Sequence, residues 1–178
     1  MPLDPFWRKA EALGMPILIH PVMSVATPRV GKFALAQVAQ YTFDTTLGIG
    51  SLLMSGVMDR FPGLKLLWSH GGGTFPYLIG RFDLMHRRMD KPGQGNVAAK
   101  QPSDYVSQMS YDSIVHAPKT LRFLIEVAGI GNVQLGTDYS FPPADMEPLA
   151  MLKAAGLSKA DSEAISDGNP RRMFSRMK

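Results

Sequence analysis

The strongest constraint on this chain is an alternation that recurs along it: a short apolar run with strand character, then a longer stretch with helical spacing. Met15-Pro16-Ile17-Leu18-Ile19 is the first such run and ends in His20-Pro21. Lys65-Leu66-Leu67-Trp68-Ser69-His70 is the second, and Gly71-Gly72-Gly73 follows it, where the backbone can bend tightly or approach a ligand. Residues 109–115 make a weaker third run, and Val133-Gln134-Leu135-Gly136-Thr137-Asp138 is the fourth. Runs this short and apolar suit strands buried on both faces.

Helices fill the intervals. Residues 6–13 stop at Gly14, and residues 43–61 carry apolar side chains at helical intervals up to the Pro62-Gly63 break. Residues 74–89 read as helical after Pro76, residues 91–102 as an exposed loop, and residues 118–128 as an amphipathic helix opened by a proline. Ser158 is placed to cap a further helix, with Asp161 three residues on. Strand and helix in steady alternation specify an α/β fold with a parallel sheet, and the chain is expected to be a single domain over residues 1–178.

Three of the runs end in a residue that can bind a metal or move a proton: His20, His70 and Asp138. In barrels built from strand–helix units the active site forms at the C-terminal ends of the strands, so these three are expected on one rim. Each alone is more simply structural, since a histidine at a strand end commonly just hydrogen-bonds and the Asp of Gly-Thr-Asp can cap or turn. Their shared position gives them weight. The chain has no cysteine, which excludes a disulfide framework, a thiolate site and a Cys nucleophile. Any metal must take nitrogen and oxygen ligands, a set that suits Zn²⁺ and neighbouring divalent ions.

Bulk properties narrow the partners. With 45% hydrophobic and 19% charged residues, the 178-residue chain can bury one sizeable core. Its +4 net charge is spread out apart from Arg87-Arg88 and Arg171-Arg172, which gives nucleic-acid binding little support. No apolar run approaches the roughly 20 residues that cross a bilayer, and the first residues do not read as a secretion signal. A cytoplasmic protein is expected. The 12 methionines read as core filling.

These residues carry a family resemblance. His20-Pro21, Arg29, Asp44-Thr45-Thr46, Ser69-His70-Gly71-Gly72-Gly73, Phe75-Pro76, Gly80-Arg81, Tyr111-Asp112, His116 and Leu135-Gly136-Thr137-Asp138-Tyr139 with Phe141-Pro142 follow in that order. The series resembles the amidohydrolase-2 group, and within it the decarboxylases of the aminocarboxymuconate-semialdehyde type. The resemblance implies the C-terminal half, strands five to eight, of a TIM-type (β/α)8 barrel. It makes His20 and Asp138 metal ligands, and gives His70, with Asp138, the acid/base work on metal-bound water. The implied cofactor is Zn²⁺, with Mn²⁺ as the second choice. It implies a small carboxylate substrate and a dimer, in which Arg81 reaches the substrate of the neighbouring subunit. Arg29, Trp68 and Phe75 are the other expected substrate contacts, although core packing is the usual fate of such aromatic residues.

Other histidines draw plainer readings. His116 is expected to support the site or the fold rather than ligate, and His86, beside Arg87-Arg88, to lie on a solvated helix face. The activity implied is metal-dependent decarboxylation of a muconate-type or aromatic acid. A hydrolase of the same superfamily, acting on an ester, lactone, amide or C–C bond, would use the same residues. The family's His-x-His motif has no counterpart here, and a full barrel takes about 250 residues. The chain is therefore expected to be a half-barrel that pairs with another half, and an inert half-barrel is the non-enzymatic alternative.

Overall fold

The computed structural model describes residues 2–22, 28–89 and 97–175. Among the described residues, four strands form one parallel sheet in the order β1-β2-β3-β4: Pro16–Ile19, Lys65–Trp68, Ser110–Asp112 and Val133–Gln134. Helix α1 (Asp4–Leu13) precedes β1 and stops at Gly14. Between β1 and β2 run α2 (Tyr41–Met54) and α3 (Val57–Arg60), between β2 and β3 runs α4 (Phe75–Arg88), and α5 (Pro118–Ala128) joins β3 to β4. The tail folds as α6 (Pro148–Ala154), α7 (Lys159–Glu163) and α8 (Asn169–Met173). Parallel strands joined by helices are what the alternation required, and the architecture is that of half a (β/α)8 barrel.

The departures have local causes. The single helix expected over residues 43–61 breaks at Gly56, whose φ of 69° is a left-handed conformation that ends α2 and starts α3 on a new axis. β4 is far shorter than the run 133–138, because the Leu135 N–H donates to the Ile165 carbonyl and that of Gly136 to Ser113 Oγ. Ser158 Oγ accepts the Asp161 N–H at 3.0 Å, so that cap is as expected. Of the loop read over 91–102, residues 91–96 lie outside the described residues, while Pro102–Gln108 turns as a short tight helix.

Strand register decides which side chains can meet a ligand. Ile17, Leu66 and, one pair on, Ile19, Trp68, Tyr111 and Val133 line up across the sheet and face the helices. There they join Ile49, Leu53, Met58, Leu121 and Leu124 in the hydrophobic core. The opposite face carries Leu18, Leu67, Ser110, Asp112 and Gln134. Leu18, on the edge strand, is 58% exposed. The methionines are divided rather than uniformly core: Met58 and Met109 are buried, whereas Met146 is 72% exposed.

Candidate active site

His20 follows β1 directly, and its Nδ1 lies 2.8 Å from the Pro21 carbonyl. A ring held in this way keeps its proton on Nδ1 and presents the Nε2 lone pair. That Nε2 stands 3.2 Å from Asp138 Oδ1. His70 follows β2, and its Nε2 lies 3.4 Å from the other oxygen, Oδ2. The two imidazole rings meet edge-on with centroids 4.9 Å apart, and Phe141 stacks on His20 at 5.1 Å. One donor atom from each of His20, His70 and Asp138 falls within 4.8 Å of the others. Two imidazoles and a carboxylate at that spacing fit a divalent cation.

The backbone is unusual at this rim. His70 and Asp138 have φ of 54° and 57°, and His116, beyond β3, also has 54°. Left-handed backbone is uncommon outside glycine, and here it turns side chains from successive strand ends toward one another. Gly73 (φ 64°) has a second reason to be glycine, since a Cβ there would lie 2.1 Å from the Thr42 carbonyl oxygen. Thr46 Oγ1 bonds to the Thr74 hydroxyl, accepts the Thr74 N–H and reaches the Thr42 carbonyl, which ties α2 to the glycine turn.

The trio opens into a cavity of about 680 Å³. Its walls are mainly apolar, with Val38, Ile114, Val115, Phe141 and Pro142, and its polar groups include Tyr41, Thr42 and His116. Burial holds the His70 imidazole below its usual pKa, opposed by the Asp138 carboxylate and assisted by His20. His70 is therefore neutral near pH 7 and able to accept a proton. Asp112, 5% exposed, is pushed up to about 6 by burial, against the backbone N–H groups of Gly71, Ile114 and His70 that favour its charged form.

A family model described as amidohydrolase matches residues 1–176. The chain belongs to the amidohydrolase family. It is 33% identical over 169 residues to 2-amino-3-carboxymuconate-6-semialdehyde decarboxylase from Dictyostelium discoideum, covering 94% of this chain and 46% of that protein. It is 28% identical to 6-methylsalicylic acid decarboxylase from Penicillium expansum, over 98% of this chain and 54% of that one. The structure of 5-carboxyvanillate decarboxylase from Sphingomonas paucimobilis superposes with a TM-score of 0.83 at 26% identity, covering 97% of this chain and 52% of that one. This amidohydrolase chain spans about half the length of the relatives it matches.

Two of the expected substrate contacts of this amidohydrolase do not reach the cavity. Trp68 is 1% exposed and faces the helices, donating its indole N–H to Met109 Sδ at 3.1 Å. Phe75 is fully buried against Phe82. Strand parity gives the reason for Trp68: it pairs with Ile19, and the residue after Ile19, His20, is the one that lines the cavity. Arg29 and Arg81 are both exposed and outside the cavity lining. His86 does more than face solvent, because its Nε2 lies 3.0 Å from the Ala98 carbonyl. Tyr41 and Thr42 also line the cavity, although helical spacing alone does not mark them as cavity residues.

Proposed function

We propose that this chain carries the C-terminal half of the active site of a divalent-metal-dependent decarboxylase acting on an aromatic or muconate-type carboxylic acid, with His20 and Asp138 as its share of the metal ligands. The convergence of His20, His70 and Asp138 at the mouth of the cavity carries the reading. Its decarboxylase relatives support it.

His20 and Asp138 would hold the ion, and His70 would move the proton. The ion, when bound, would polarise the substrate and lower the pKa of water near it. Zinc and manganese both accept imidazole and carboxylate ligands, with zinc the first choice. The apolar wall formed by Val38, Ile114, Phe141 and Pro142 would hold the flat carbon skeleton and keep bulk water from it. Loss of CO₂ needs a proton delivered to the carbon that bears the carboxylate, so that the electron pair of the breaking C–C bond has somewhere to return. His70, neutral at rest and 12% exposed at its side chain, would take up a proton and hand it on at Nε2. Arg81 lies on the exposed face of α4, so it would act on substrate only across an interface, within a dimer.

The experiment is CO₂ release from hydroxybenzoates and carboxymuconate semialdehydes by the protein loaded with Zn²⁺ or Mn²⁺. Loss of CO₂ release in His70→Ala and Asp138→Ala is expected. Ester or lactone hydrolysis without any CO₂ would replace this reading with the hydrolase one.

A further inference from the structure

We propose that Asp112 is a positioning residue: it sets the separation of His70 and Asp138, and through it the affinity of the site for its metal ion. The metal part rests on the function proposed above. Asp112 ends β3 and lies outside the cavity lining, so it acts through other residues.

Its grip on the His70 side is a set of backbone bonds. Asp112 Oδ1 accepts the Gly71 N–H at 2.9 Å and the Ile114 N–H at 3.1 Å, and the carboxyl also takes the N–H of His70. His70 and Gly71 are successive left-handed residues, with φ of 54° and 59°. Consecutive N–H groups in a turn of this kind converge on an anion. Here the anion is a side chain of the neighbouring strand.

On its other side Asp112 meets the segment that leads to Asp138. A Cβ on Gly136 would lie 3.0 Å from Asp112 Cβ, so the two backbones are in close approach. The adjacent Ser113 Oγ accepts the Gly136 N–H at 3.2 Å. One strand end thus holds the turn that carries His70 and braces the run that carries Asp138, and those two residues stand 3.4 Å apart. A carboxylate with a purely structural role would affect stability and leave the His70 ring and the ion untouched.

The test compares Asp112→Ala with Asp112→Asn, whose amide oxygen can still accept the backbone N–H groups. Competition with a chromophoric chelator should show Mn²⁺ affinity falling about 10–100-fold in Asp112→Ala, the usual loss when a residue that supports a metal site is removed, and recovering in Asp112→Asn. In the metal-free protein the ¹⁵N shifts of the His70 ring should move in Asp112→Ala and return in Asp112→Asn. A folded Asp112→Ala protein with wild-type His70 shifts and wild-type affinity overturns the proposal. If the wild-type chain takes up no Mn²⁺, the metal site is lost as a reading, and the His70 shifts alone still judge Asp112. If Asp112→Ala does not fold, the wild-type Gly71 amide decides: hydrogen-exchange protection like that of β2 supports the proposal, and exchange as fast as an exposed loop overturns it.

Discussion

The Nε2 of His20 and the Oδ1 of Asp138 stand 3.2 Å apart although 118 residues separate them in the chain. Asp138 is the shared member of the site, with one oxygen toward each histidine. Asp138→Asn keeps the shape and removes the charge, and should weaken Zn²⁺ or Mn²⁺ binding on the order of 100-fold. Metal at 100 times its Kd should raise the wild-type melting midpoint by roughly 5–10 °C, and that of Asp138→Asn hardly at all. A wild-type midpoint that ignores both metals would reject the site.

Asp112 gives a pH dependence of stability in the metal-free protein. Its folded pKa, pushed up to about 6, lies above the ordinary carboxylate value, so between about pH 4 and 6 the folded state binds more protons than the unfolded one. Stability should therefore fall as pH rises through this window, by about 3 kcal/mol in all. Asp112→Asn mimics the neutral acid and should flatten the profile. Urea unfolding at pH 4.5 and 7 would show this, and an Asn variant with the wild-type slope would refute it.

Trp68→Phe should lower stability by about 1–3 kcal/mol through lost packing and the lost contact to Met109. Metal affinity should be unchanged, because Trp68 sits on the helix side of β2. A substantial loss of metal affinity without loss of stability would place the indole in the cavity after all.

Gly73→Ala forces a methyl group against the Thr42 carbonyl oxygen in a left-handed turn. A destabilisation of roughly 3 kcal/mol or more is expected from overpacking and backbone strain together. Unfolding midpoints within a degree of wild type would show that the turn can yield.

The parts of the fold legible in the sequence are those written in local chemistry. The β1 and β2 runs, the Gly14 stop, the proline that opens α5 and the Ser158 cap each depend on neighbours in sequence, and each is found in place. The convergence of His20, His70 and Asp138 was legible because strand ends in a parallel sheet share one rim. The burial of Trp68 and Phe75 is not legible in the sequence, because an aromatic residue near a motif carries no sign of which face it takes. For Trp68 that depends on pairing with Ile19 across the sheet. The early end of β4 depends on Ile165, a partner far along the chain. The role of Asp112 arises from turns that only the folded backbone reveals.

The left-handed backbone at His70 and Asp138 sets folding and chemistry at odds. At each position glycine would relieve about 1 kcal/mol of conformational strain, and it would also delete a side chain of the proposed site, the proton carrier at His70 or the metal ligand at Asp138. Directed evolution for heat resistance alone should drift toward glycine at these two sites and yield sturdier, inert descendants. Survival of the histidine and the aspartate in such a lineage would need selection on the reaction itself.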